Sequence, residues 1–275
     1  MAADAGPWPA RIARARQLAL LHASAAEALT FYAELATFQQ RLLQEGSARG
    51  VLAAAPREGP AQQFVETLDR PDLRALVPKL LTWLRVTAPR PLAVAAESML
   101  TNGPLELDRM FKNYWATAGS DVGIEDDARA FVVEALLQPF AELLAASWRK
   151  DEGAAPGGRC PCCGGRPVVG VLREAGHGAR RELQCGLCAS EWRSPRVTCP
   201  ACGEGKFDAL SVIRTDQFPS LQVDVCSTCC TYVKTVDLTR DNTAVPTVDD
   251  LASLPLDLWA REQGYSRLRP HLLRL

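Results

Sequence analysis

Four C-x-x-C pairs carry the chemistry of this sequence: Cys160 with Cys163, Cys185 with Cys188, Cys199 with Cys202, and Cys226 with Cys229. The first and third pairs share the pattern C-P-x-C-G and start 39 residues apart, while the second and fourth start 41 residues apart. This is a tandem repeat of two four-cysteine units. Within the units, 21 and 23 residues separate the two pairs, close to the spacing of the two knuckles of a single four-thiolate site. Consecutive pairing then assigns Cys160, Cys163, Cys185 and Cys188 to one ion, and Cys199, Cys202, Cys226 and Cys229 to a second. Two residues between ligands let a tight turn aim both sulfurs at one cation. Gly164 and Gly203, just after the turn, suit the positive φ that brings backbone N–H groups toward the thiolates. Four thiolates in a tetrahedron suit Zn(II) or a single rubredoxin-type iron, and spacing does not choose between them.

Ten cysteines could also mean disulfides, but all ten lie between Cys160 and Cys230, after a long cysteine-free segment. A disulfide scaffold spreads its cysteines over a small domain, so dense C-x-x-C pairs read as metal ligands in a reducing compartment. Two cysteines are surplus. Cys162 lies inside the first knuckle, and Cys230 stands where the matching knuckles have glycine. Each reads as a small buried residue or, in the sharper reading, as a redox-active thiol or alternate ligand. Trp192 and Tyr232 follow the second pair of each unit and are expected to pack on the knuckles. Arg166, Arg173, Arg180, Arg181, Arg193 and Arg196 surround the first unit and are expected to offset thiolate charge. His177 reads as a loop residue, and His22 and His271 have no cysteine pattern near them.

These sites need a body to hold them. Residues 1–150 show apolar positions at helical spacing and read as an all-α bundle. One helix starts at Ser24, where Ser24 and Glu27 form a capping-box pattern, and carries Phe31, Leu35, Phe38 and Leu42. Another follows Pro71, with Pro78 expected to kink or delay it, and a third runs from about Ile124 to Leu144, interrupted by Pro139. Trp83 and Trp115 are expected in the core. Residues 151–159 read as a linker, 160–198 as the first metal module, 199–240 as the second, and 241–275 as a helical tail capped by Asp249 or Asp250. Short alternating stretches from Arg166, Leu210 and Tyr232 suit small antiparallel strands. The fold class is α+β: a helical bundle followed by two tandem rubredoxin-like or zinc-ribbon knuckle modules and a short C-terminal helix.

With 31 basic and 32 acidic residues, the net charge of −1 gives no pull toward nucleic acid or anionic membrane. A nucleic-acid-binding zinc ribbon is therefore the least favoured function. No apolar run approaches the ~20 residues of a membrane span, and the first residues lack a secretory pattern, so the expected location is the cytoplasm. No nucleophile–base pair, phosphate-cradling loop or open metal position marks an enzyme, and no catalytic residue is assigned.

The sequence resembles the formate dehydrogenase accessory proteins, the FdhE family. The likeness rests on C-P-x-C-G at Cys160 and Cys199, C-G-L-C-A-S-E-W from Cys185 to Trp192, and C-x-x-C-x-T-Y-V-K from Cys226 to Lys234. It also rests on D-D-L-A-S-L-P-L-D from Asp249 to Asp257 and E-Q-G-Y-S-R from Glu262 to Arg267. The resemblance implies a cytoplasmic assembly factor that contacts the catalytic subunit of a molybdenum- or tungsten-containing formate dehydrogenase. It also implies rubredoxin-type iron in preference to zinc. The alternative is a redox protein acting on the client's cofactor or cysteines. Cys230 departs from the family pattern, which has glycine there.

Overall fold

The computed structural model describes residues 6–52, 58–117, 127–148, 158–176 and 178–274. The expected linker and His177 therefore lie largely or wholly outside the described residues. The amino-terminal half contributes eight helices among the described residues: α1 (Trp8–Leu21), α2 (Ala26–Ala48), α3 (Ala61–Leu68), α4 (Pro71–Arg74), α5 (Val77–Thr87), α6 (Arg90–Thr101), α7 (Pro104–Thr117) and α8 (Asp127–Ser147). α2 follows its sequence stripe, burying Leu29, Phe31, Leu35, Phe38 and Leu42. Each such side chain is worth about 1.5–3 kcal/mol when fully removed from water. The capping box at Ser24 does not form. A short 3-10 turn occupies Ala23–Ala25, and α2 begins after Ala25 with no side-chain cap. Pro78 sits in the first turn of α5, where its missing N–H costs nothing. Pro139 does not interrupt α8, which runs unbroken through it.

α8 is the central strut. By length and composition it could cross a bilayer, contrary to the sequence reading, but 83% of its most apolar stretch is buried inside the fold, as in a core helix. Its three buried polar residues stand one turn apart, and each reaches a different part of the molecule. Glu134 pairs with Arg269 and with Arg274. Gln138 meets Gln39 of α2 and the Gly186 carbonyl. Glu142 pairs with buried Arg11 of α1 at 2.7 Å.

The carboxy-terminal half folds as one seven-stranded sheet of order β3-β2-β1-β6-β5-β4, with β7 (Ser266–Arg267) also on β6. β1 (Pro167–Ala175), β2 (Gly178–Cys185) and β3 (Glu191–Arg193) come from the first unit. β4 (Leu210–Arg214), β5 (Leu221–Cys226) and β6 (Thr231–Asp237) come from the second. β6 lies parallel to β1, with Gly170, Val171 and Leu172 opposite Thr235, Val236 and Asp237. Glycine at 170 is demanded by that neighbour, because a Cβ there would lie 2.2 Å from Thr235 Oγ1. Residues 160–198 and 199–240 therefore share a sheet. In place of one terminal helix there are two, α9 (Pro246–Ala252) and α10 (Leu254–Glu262). α9 starts ahead of both expected caps, with Val245 at its cap position and no side-chain cap, and Asp249 inside its first turn accepts the Val245 N–H at 2.8 Å. The same carboxylate pairs with Arg14 of α1, tying the two halves together.

Candidate metal centre

Each sulfur is delivered by a turn of the same construction. The residue after the second cysteine of every pair has positive φ: Gly164 (71°), Ala189 (52°), Gly203 (79°) and Cys230 (52°). In the first and third turns that residue donates its N–H to the carbonyl of the first cysteine, Gly164 to Cys160 and Gly203 to Cys199, both at 2.9 Å. Inside the turns, the N–H groups of Leu187 and Ala201 point at the sulfurs of Cys185 and Cys199, each at 3.4 Å. β2 and β5 each end on a cysteine, Cys185 and Cys226, so strand pairing swings the second turn of each unit over the first.

The eight sulfurs assemble as the spacing predicts, into one group of Cys160, Cys163, Cys185 and Cys188 and another of Cys199, Cys202, Cys226 and Cys229. None is disulfide-bonded. In the first group Cys160 and Cys188 are 3.5 Å apart, Cys163 and Cys185 3.4 Å, and Cys163 and Cys188 3.7 Å. In the second, Cys199 and Cys229 are 3.7 Å apart and Cys202 and Cys226 3.8 Å. A regular tetrahedron with metal–sulfur bonds of about 2.3 Å has edges of about 3.8 Å, so both groups are cages of the right size for a tetrathiolate ion. The thiol electrostatics of the first group also call for a cation. Hydrogen bonding to Cys162 and the other sulfurs pushes Cys160 far up, and burial does the same for Cys188. Cys185 is held well below the ordinary thiol range, chiefly by hydrogen bonds from Cys160 and Cys163. Without a central positive charge the thiols must share protons; with one, all four can ionise.

The cages differ in exposure. All four cysteines of the first are buried in the main hydrophobic core together with Leu183, Leu187 and Trp192. In the second, Cys202 is exposed and Cys229 half-buried, and burial pushes the Cys199 thiol up to about 12. Of the surplus cysteines, Cys162 is fully buried beside the first cage and accepts a hydrogen bond from the Ser190 hydroxyl at 3.2 Å. Cys230 is exposed, so it is not the small buried residue that the bland reading expects.

A sequence profile of the FdhE central domain matches residues 159–196, and one of the FdhE C-terminal domain matches residues 197–274. Residues 159–274 are thus similar to both FdhE domains. An FdhE homologue of Pectobacterium carotovorum is 29% identical over 267 residues, 94% of this chain and 84% of that protein. The Aquifex aeolicus homologue is 33% identical over 153 residues, which are 55% of this chain and 54% of the relative. The Pseudomonas aeruginosa homologue is 40% identical over 119 residues, 42% of this chain and 38% of that protein. The chain thus spans about half the length of the first of these two and less of the second. The crystal structure of the FdhE protein from Pseudomonas aeruginosa has the same fold, with a TM-score of 0.70 at 24% identity over 99% of this chain and 96% of that one.

The two stretches that carry the FdhE resemblance outside the cysteines meet in space. Asp250 and Asp257, from D-D-L-A-S-L-P-L-D, flank the fully buried Lys234 ammonium at 3.2 and 2.5 Å. Arg267, from E-Q-G-Y-S-R, pairs with the same two carboxylates at 2.6 and 2.8 Å, and the Tyr232 hydroxyl donates to Asp257 at 2.7 Å. This cluster fastens α9 and α10 to β6 and so braces the strand that follows the last knuckle. Tyr232 therefore packs on α10, among Val223, Val225 and Ala260.

Three of the arginines expected to offset thiolate charge in the first unit are held by carboxylates. Arg173 pairs with Glu182 and Glu191, Arg180 with Glu182, and Arg181 with Asp224. Arg166 instead lies near the second cage, where it feels Cys199 and Cys229. The cation beside the first cage is Arg269, whose charge is felt by Cys185 and Cys163 and whose stem crosses Gly186. No spacing rule pointed to Arg269, which lies 81 residues beyond Cys188. His22 stacks on Phe218 and His271 is buried beside Tyr32, so neither joins a cage.

Proposed function

We infer that the protein is a two-metal accessory factor that binds the catalytic subunit of a formate dehydrogenase in the cytoplasm and is needed for that enzyme's maturation, with no turnover of its own. In this reading Cys160, Cys163, Cys185 and Cys188 hold one ion and Cys199, Cys202, Cys226 and Cys229 the other. The observation that carries it is the pair of correctly sized tetrathiolate cages set in an FdhE fold. Four protein ligands leave such an ion no open position for substrate, which favours holding and shaping over catalysis. The first cage is part of the core and supplies folding energy to the junction of helices and sheet. Iron is favoured over zinc by the family resemblance.

The exposed edge of the second cage supports a second reading, in which that centre passes electrons to the client's cofactor or cysteines. A bound iron would supply a one-electron Fe(II)/Fe(III) couple; zinc supplies none.

Two measurements test these readings. Anaerobic purification from the native cell, with total metal analysis and a visible spectrum taken after oxidation with ferricyanide, is expected to give two ions per chain and the colour of ferric tetrathiolate. A colourless protein with two zinc ions eliminates the redox reading. The affinity-tagged protein is expected to retain the formate dehydrogenase catalytic subunit in stoichiometric amount, and repeated failure to do so under conditions that keep both ions bound refutes the client assignment.

A further inference from the structure

The two units are repeats, yet their equivalent strands end differently. Counted back from the ligand cysteines Cys185 and Cys226, Gly170 faces Leu183 as Val212 faces Asp224, and Leu172 faces Arg181 as Arg214 faces Gln222. Gly170, Val171 and Leu172 of β1 therefore correspond to Val212, Ile213 and Arg214 of β4. The three β1 residues receive β6 as a parallel neighbour. Among the described residues the three β4 residues have no strand on the side away from β5, because β4 ends the sheet.

The backbone of β4 is turned for the same use. Ser227 N–H donates to the Ala209 carbonyl at 2.9 Å. This places residues 209, 211 and 213 in the hydrogen-bonded pairs with β5 and turns the N–H and C=O groups of Leu210, Val212 and Arg214 outward. In β1 the matching residue does the same, Leu172 offering its carbonyl to Leu238 N–H at 3.0 Å. Proteins usually blunt a free edge with charge, as β3 does with Glu191 and Arg193. β4 leaves Val212 55% and Ile213 36% exposed on its two faces, with Phe207 82% exposed just before it.

We propose that the open edge of β4 takes up an extended segment of a partner polypeptide, laid parallel to β4 as β6 is laid on β1, with apolar side chains on the Ile213 face and basic ones on the opposite face, which Val212 shares with Cys226 of the second cage. The charge preference follows from the surroundings. Residues 199–217 carry Glu204, Asp208 and Asp216 against Lys206 and Arg214, and four thiolates on a divalent ion add a net double negative charge, which Arg166 and Arg196 beside the same cage offset only in part. This mode, in which main-chain hydrogen bonds give affinity and alternate side chains give selectivity, needs no preformed pocket. The inference rests on the accessory-factor reading and names the surface through which it acts.

The test uses the metal-loaded full chain and an end-blocked heptapeptide of alternating Val and Lys. Binding is expected to protect the Val212 and Arg214 amides from hydrogen exchange, with the Ser211 and Ile213 amides already protected in the free protein. Val212→Pro removes one outward N–H without touching the β5 ladder, and is expected to weaken binding at least tenfold while keeping both metal ions. A Val/Glu heptapeptide is expected to bind at least tenfold more weakly than the Val/Lys one. Equal binding of the two peptides, unchanged exchange at Val212 and Arg214, or a wild-type dimer that Val212→Pro dissolves would overturn the proposal. Should Val212→Pro misfold, the wild-type exchange pattern decides alone. Retention of the formate dehydrogenase catalytic subunit is the second arm. If wild type and Val212→Pro retain it equally, the edge proposal falls and the client reading stands; if wild type retains none, the client reading falls and the peptide arm still decides the edge.

Discussion

His271 is buried against Tyr32 and held in one tautomer: Leu273 N–H donates to Nδ1 at 3.3 Å, so the ring proton sits on Nε2 and is given to the Thr247 carbonyl at 3.0 Å. A second proton would have to face the Leu273 N–H. Burial is the main cause that drives its pKa down from 6.5 to about 4, with Arg267 acting in the same direction against the opposing pull of Asp250. At about 1.36 kcal/mol for each tenfold change, neutral burial of this ring contributes about 3 kcal/mol. The sign follows from where the proton binds. Below pH 6.5 the unfolded chain takes up a proton that the folded chain refuses, so this contribution is full above pH 6.5, fades as pH falls, and is gone near pH 4. Between pH 7 and 5.5 the loss is about 1 kcal/mol. Urea unfolding of wild type and His271→Gln at several pH values, with metal content checked at each, isolates it, since the variant lacks the titrating ring. Wild type is expected to lose about 1 kcal/mol more than the variant over that interval. An imidazole resonance of native His271 with its midpoint at 6 or above would refute the reasoning.

Lys234→Met leaves Asp250 and Asp257 sharing only Arg267 in a buried site and is expected to cost about 3–5 kcal/mol, read as a fall in melting temperature of about 10 °C. Adding Asp257→Asn is expected to return part of that loss, and an additive double variant would show that the cluster does not act as a unit. Cys230→Gly removes a non-glycine residue at φ 52° without emptying any core space, and is expected to raise stability by about 0.5–1 kcal/mol with two ions still bound. A destabilised or metal-poor variant would mean that this thiol has a role the geometry does not give it. A chromogenic chelator is expected to strip the ions in two phases, the exposed second cage first. Cys202→Ala should abolish only the fast phase and Cys185→Ala only the slow one; a single phase in wild type would contradict the difference in burial.

What could be read in the sequence was what local geometry dictates. The cysteine grouping follows from turns of four residues and from strands that must bring one turn over another, and α2 follows from a single apolar stripe. The capping box failed because Ala23–Ala25 tightened into a 3-10 turn, which moved the helix start past Ser24. The parallel pairing of β1 with β6 was out of reach, since the partners lie more than sixty residues apart and the decisive feature is an absent side chain at Gly170. Arg269 was invisible for the same reason: a cation is assigned to thiolates by distance in space, and this one reaches the first cage from 81 residues beyond Cys188. In α8, Glu134, Gln138 and Glu142 look like a polar face turned to water, and only the packed structure reveals that all three are buried against partners.

Because β6 completes the sheet of the earlier unit, order of synthesis matters. When residue 198 leaves the ribosome the first cage has all four of its sulfurs, yet the edge of β1 stays bare until some forty further residues have emerged. A nascent chain in that interval would present Gly170 and its neighbours to any extended strand nearby. Stalling translation before residue 237 should therefore yield a species that already holds one ion but is prone to wrong pairing, whereas release past Asp257 lets the buried lysine lock the strand in place.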